Sequence, residues 1–374
     1  MAAPMIQAPS DVRAAVSSGT GVVEVETFDL DGAAGWLRVE SSGICGTDVQ
    51  LNVRGLQAPA VLGHHVIGTI EHLDDEFAEL LGVAPGERVA VEEYIGCGHC
   101  QECMAGAYRF CPQADLWTGG ERVGMLPTRV RTGLHGGNAE FMELSARHAL
   151  HPVPAALSPD LAAWALPLAN AIEWVMLVGG ACRGSRVAII GPGYHGFACA
   201  AAARHAGAAE VHLFGLERDA ERLRVAEGLR VHTHVGAHVG GVPELDIVVD
   251  TVGSTRTTAL ATTLLARHGT LVLAGISGGT ELDVDATAVV RRLLTIRGVR
   301  GRSPEAVGLS IRALDQGMTG LGVIPTHRIG LDEVGSMLTK LRSGSGPATP
   351  HVIVDPWLTS RTGPRPAEFQ EVSS

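Results

Sequence analysis

At 374 residues the chain is longer than one hydrophobic core usually serves, so two domains of roughly 150–200 residues are expected. Hydrophobic residues make up 45% and charged residues 18%, the balance of a globular protein and not of a disordered one. A formal charge of -11 argues against a phosphate-backbone partner, which needs clustered Lys and Arg, so no DNA or RNA role is expected.

The opening MAAPMIQAPSDVRAAV lacks a basic segment followed by a sustained apolar run, so neither a secretory signal nor a membrane anchor is expected. No apolar run reads as long enough to span a bilayer. From about Asp11 to Val153 short β-prone runs such as GVVEVETF, GWLRVESSG and ERVAVEEY alternate with glycines, which predicts a small β-rich lobe. Inside it Cys97, Cys100, Cys103 and Cys111 follow the pattern C-x2-C-x2-C-x7-C, which lets one compact loop present four thiolates to a tetrahedral zinc. A closed four-sulfur shell leaves no position for substrate, so this metal is expected to be structural. Four of seven cysteines used as thiolates fit a reducing compartment, and the cytoplasm is the expected location.

From about Leu157 the pattern changes to apolar strands alternating with alanine-rich helices, which predicts a doubly wound parallel sheet. Between the strand Val187 to Ile190 and the helix FACAAAARHAG stands Gly191-Pro192-Gly193-Tyr194-His195-Gly196, a G-x-G-x-x-G in the context that cradles a dinucleotide pyrophosphate. The acidic group for the ribose should follow about 20 residues on. Strand-end placement gives Gly215, whereas measuring back from the helix ERLRVA gives Glu217. Gly215 with Arg218 beside it would admit the 2′-phosphate of NADP; Glu217 and Asp219 would repel one and tilt the expectation toward NAD. Past LTIRGVRG, a helix from Pro304 to Gly317 leads to HRIGLDEV and the strand HVIVD. Cys182 and Cys199 read as small core residues.

Taken together, SSGICGTD, VLGHHVIGTIE, the four-cysteine loop, GGNAEF, PLAN, GPGYHG and HRIGLDEV resemble the zinc-containing medium-chain alcohol and polyol dehydrogenase family over nearly the whole chain. The resemblance implies an α/β protein with a GroES-like β-rich catalytic domain and a Rossmann domain of doubly wound parallel sheet. It implies a catalytic domain with its structural zinc lobe over 1–154, a Rossmann domain over 155–303, a return to the catalytic domain over 304–356, and a disordered tail over 357–374. It also implies NAD or NADP as cofactor, a small-molecule substrate and a homo-dimer or homo-tetramer. Carried over residue by residue, Cys45 and His64 become ligands of a catalytic zinc, Thr47 the hydroxyl that relays the alcohol proton, and Asp48 the acid that orients His64.

The match breaks at the metal and along the proton path. Leu166 stands where the family has its third ligand, His65 replaces the Glu of the GHE motif, and Gln50 stands where a relay histidine often lies. An irregular turn at His64-His65 would let His65 serve as a third ligand beside Cys45 and His64, since neighbours on a regular strand point to opposite faces. The expected reaction is interconversion of a secondary alcohol and a ketone on a small polar or natural-product-like substrate. The alternatives are a zinc-independent reduction of C=C or C=N and a cofactor-binding protein without turnover. Residues 112–135, including Trp117 and Met125, are expected to flank the substrate cleft, Asn138 to serve a turn, and His351 to lie near the pyrophosphate.

Overall fold

The computed structural model describes residues 7–115, 120–236, 240–275 and 282–359; Trp117 and nearly all of the tail expected to be disordered lie outside these. Three sheets organise the described residues. A seven-stranded sheet is centred on Gly35–Gly43 and Val66–Leu73, which pair antiparallel. The late strands His327–Ile329 and Val352–Val354 join it, with Ile353 and Val354 paired to Gly43 and Ser42. Both chain ends thus build the sheet edge from which Cys45 emerges. A three-stranded sheet formed by Val12–Ser17, Val23–Phe28 and Ala60–Val61 packs beside it.

The second body is a six-stranded, all-parallel sheet in the spatial order His232–Val235, Glu210–Gly215, Arg186–Ile190, Leu245–Asp250, Leu265–Leu273, Thr295–Gly298. Strand order reverses on either side of Arg186–Ile190, and ligands of such sheets bind in the crevice beyond the strand ends at that switch point. The fingerprint turn leaves this same strand. The helix Tyr194–His205 that follows has no polar stripe at Gly196 to Ala203, and it is buried all round by alanines small enough to admit neighbours on every side. A Cβ on Gly196 would overlap the Gly191 carbonyl oxygen, which is why the motif's third glycine is needed for this close approach.

One helical run, Pro159–Val178, is long and apolar enough by composition to cross a membrane, contrary to the sequence expectation. Its helical segment Ala165–Ala171 is wholly buried, and a π-helical stretch Ile172–Val178 follows. It packs between Tyr194–His205 and the helix Pro304–Asp315, whose Ser310 hydroxyl donates to the Ala165 carbonyl at 2.6 Å. A core position between layers accounts for the apolar composition. Cys199 is buried as expected, but Cys182 is exposed because the chain has already left the helix there.

Candidate active site

Cys45 caps the helix Gly46–Leu51: its sulfur accepts the Thr47 N–H at 3.3 Å, and its own N–H donates to Asp48 Oδ2 at 2.9 Å. The other oxygen, Asp48 Oδ1, accepts from Gly63 N–H at 3.3 Å and lies 3.2 Å from His64 Nδ1. A carboxylate there fixes a proton on Nδ1 and turns Nε2, 3.1 Å from the Cys45 sulfur, into the site, where a bound metal would displace any proton it carries. Burial disfavours a charged His64, but Asp48 and Cys45 outweigh it and hold the ring well above its ordinary pKa. Burial would likewise raise Asp48, yet the neighbouring His64 keeps it below the usual range.

Residues 62–65 lie between strands, and Gly63 takes φ +94°, a left-handed conformation that breaks the alternation of side chains. The irregular turn required for His65 is therefore present. Its ring sits 4.5 Å from that of His64, and the donor atoms of Cys45, His64 and His65 all lie within 4.8 Å of one another. His65 Nδ1 is buried without a hydrogen-bond partner. Burial, with His64 and Arg302 nearby, keeps this ring neutral. A neutral imidazole with an orphaned nitrogen, a second imidazole and a thiol form a donor set that suits zinc. Leu166, which offers no donor atom, is buried and belongs to the same large apolar cluster as Cys45.

The four loop cysteines gather as a second donor set within 4.8 Å, with no disulfide among them. Backbone N–H groups of Cys97 and Cys100 point at the sulfurs of Cys111 and Cys97 at 3.4 and 3.3 Å, an arrangement that favours thiolates. His99 is exposed and pairs with the Cys97 carbonyl, away from that set.

At the nucleotide turn, Gly191 has φ +103° and Gly193 caps the helix that begins at Tyr194. The Tyr194 side chain turns inward and donates to the Ala163 carbonyl at 3.0 Å, so only its backbone remains at the turn. His195 also points away from the expected pyrophosphate position, with its ring 5.8 Å from His65. At the next strand end stands Gly215; Asp219 is engaged by the Leu216 N–H at 3.0 Å, and Glu217 and Arg218 are exposed. His351 is fully buried, stacked on Trp164 at 4.3 Å, bonded to the Asp160 carbonyl at 2.8 Å and 5.4 Å from the ring of Tyr194. It sits beside the last strand of the sheet, whose packing draws it into the core. Gln50 is exposed, and Asn138 serves its turn, with its backbone bonded to Leu62 and Ala15.

Sequence reasoning missed a buried ionic cluster beside the metal donors. Glu93 Oε2 lies 4.0 Å from His64 Nε2 and 2.6 Å from Arg122, while Arg302, fully buried, binds Glu92. Burial pushes Glu93 up, but Arg122 and Arg302 more than offset this and hold it at about 2. Two consecutive acids ending the apolar run VAVEEY were the available signal.

A dinucleotide-type turn beside a buried centre of one cysteine sulfur and two imidazoles defines a two-lobed, nucleotide-dependent dehydrogenase. Residues 35–155 match the alcohol dehydrogenase GroES-like domain. The chain is 32% identical over 324 residues to a probable alcohol dehydrogenase of Mycobacterium tuberculosis, covering 82% of this chain and 86% of that one. It is 28% identical to an L-threonine 3-dehydrogenase of Deinococcus deserti, covering 82% and 88%. A zinc-binding dehydrogenase structure from Sinorhizobium meliloti, bound to NADP, superposes with a TM-score of 0.76 at 26% identity over 92% of this chain and 99% of that one. The chain belongs to the zinc-type medium-chain alcohol dehydrogenase family and is an oxidoreductase.

Proposed function

We propose that this enzyme interconverts a secondary alcohol and a ketone with NAD(P), on a small polar or natural-product-like substrate. The observation that carries this is the convergence of Cys45, His64 and His65 donor atoms within 4.8 Å, on the side of the cleft reached by His195 from the fingerprint. Zinc held by these three residues would polarise the substrate oxygen, and the nicotinamide would exchange the hydride. Asp48 holds His64 with Nε2 directed at the site. Thr47, partly exposed at the start of the same helix, takes the hydroxyl proton and passes it toward solvent, with no histidine at Gln50 to receive it. The alcohol and threonine dehydrogenase relatives support this reading over a zinc-independent reductase.

Turnover of secondary alcohols, ketones, enones and imines, followed at the nicotinamide absorbance alongside metal content, tests it. Chelator-sensitive ketone reduction is expected; enone or imine reduction indifferent to metal would favour the zinc-free alternative, and binding without turnover the non-catalytic one.

For the coenzyme, the preference for NAD rests on Glu217, since Asp219 is already engaged by the Leu216 amide. Glu217→Ala should raise the affinity for NADP relative to NAD by about 10-fold, the scale of a close but solvent-screened like-charge repulsion. Equal titration curves before and after the substitution would remove that residue from the choice.

The four-cysteine lobe is proposed to hold structural zinc, which also favours the cytoplasm. The lobe braces the site, with Tyr108 donating to Glu92 and Arg109 paired with Glu173. Cys111→Ser should lose one metal equivalent and at least about 3 kcal/mol, roughly 4 °C in Tm. An unchanged melt with full metal content would overturn the assignment. A homo-oligomer is also proposed: the edge strand Thr295–Gly298 is exposed throughout and flanked by exposed Val290 and Leu293, a face suited to a second copy. Light scattering would read its size.

A further inference from the structure

Arg302 lies just beyond the last strand of the parallel sheet, and its guanidinium is committed to buried partners from the other lobe and from the helix between them. Nε and Nη2 donate to Glu92 at 3.1 and 2.6 Å, and Nη1 donates to Asn170 Oδ1 at 3.2 Å. Nη1 is also 3.6 Å from Glu93 Oε1. A guanidinium offers only donors, so the Asn170 amide meets it oxygen first. The opposite end of that amide, Nδ2, is then turned to His195 Nε2 at 3.0 Å. An amide nitrogen also only donates, so Nε2 of His195 carries the lone pair and the ring proton resides on Nδ1. A chain of three contacts, starting from the Glu92 carboxylate, thereby dictates a tautomer in the nucleotide-binding turn.

His195 is the second residue of its helix, immediately after the phosphate-binding turn, and its ring faces His65 at 5.8 Å and Trp174 at 5.1 Å. A ligand that runs from the fingerprint to the Cys45 centre must pass this ring. We propose that Arg302 and Asn170 are positioning residues that hold His195 in its Nδ1–H form, and that this N–H donates to an acceptor oxygen at the reacting end of the bound ligands. The acceptor chemistry is a carbonyl or hydroxyl oxygen, supplied by the nicotinamide carboxamide or by the substrate. The ligand half of this inference rests on the dehydrogenase reading; the tautomer half does not.

Long-range nitrogen–proton NMR of the zinc-loaded, full-length protein labelled at histidine tests the tautomer, with His195 assigned by its loss in His195→Phe. The Nδ1–H pattern is expected in the wild type and is lost or mixed in Asn170→Ala, which leaves Arg302 paired with Glu92. The charge-neutral pair Glu92→Gln with Arg302→Met should give the same mixed pattern and guards against loss of folding in any one variant. Fluorescence titration with NADH and NADPH, without substrate, should show binding weakened about 10-fold in Asn170→Ala and His195→Phe if the acceptor is the carboxamide. A comparable rise confined to KM for a ketone would place the acceptor on the substrate, and either result supports the proposal. An Nε2–H or doubly protonated His195 in the wild type would overturn it, as would unchanged Kd and KM in both variants. A wild type that binds neither dinucleotide would instead defeat the dehydrogenase reading together with the ligand half, while the spectrum still decides the tautomer.

Discussion

Cys45→Ala is expected to lower kcat/KM for a secondary alcohol by about 1,000-fold or more, the rate equivalent of the several kcal/mol that a bound metal contributes by stabilising developing charge. The sulfur is the one non-imidazole donor of the triad; without it, only the nitrogens of His64 and His65 remain to hold the metal. Zinc content should fall by one of the two equivalents that the two donor groups imply. The thiol also caps the helix Gly46–Leu51, so some loss of stability accompanies the change, of order 1 kcal/mol. Elemental analysis and steady-state rates on the same preparation separate the effects. Full metal content with undiminished turnover would show that the catalytic centre lies elsewhere.

The second large effect concerns stability. Arg302→Met should destabilise the protein by about 3–5 kcal/mol, because it leaves Glu92 without its buried counterion. The carboxylate would retain only its 2.8 Å contact with the Glu93 N–H and the weak 3.4 Å bond from Tyr108. Adding Glu92→Gln removes the stranded charge and should return most of the loss, since a buried pair replaced on both sides is often nearly neutral. Urea unfolding midpoints for wild type, single and double variants decide it. Equal midpoints for the single variant and the wild type would mean that the pair holds nothing together.

The two variants sit on opposite sides of what could be read in advance. The fingerprint was legible because its glycines stand at a strand-to-helix turn, and Cys45 and Asp48 because their segment CGTD resembles a family motif; that Cys45 caps a helix came only with the structure. The ion pair of Arg302 and Glu92 joins positions 210 apart, and no periodicity or spacing announces a contact made only when two lobes dock. His65 falls between these cases. Its identity raised the possibility of a third ligand, but the left-handed Gly63 turn brings its nitrogen to the others. For His351 the sequence offered only a basic residue before a strand; its burial between Trp164 and Tyr194 comes from packing between distant segments.

The amino-acid sequence by itself determined the family, the two-lobed α/β architecture, the gathering of the four loop cysteines and the nucleotide turn, because each is carried by motifs of residues close together in the chain. Tertiary structure alone decided that His65 converges with Cys45 and His64, that the His195 ring faces His65, and that a buried ionic cluster stands beside His64. Those outcomes depend on where distant segments meet, and burial then sets which charges are paired and which nitrogen holds its proton.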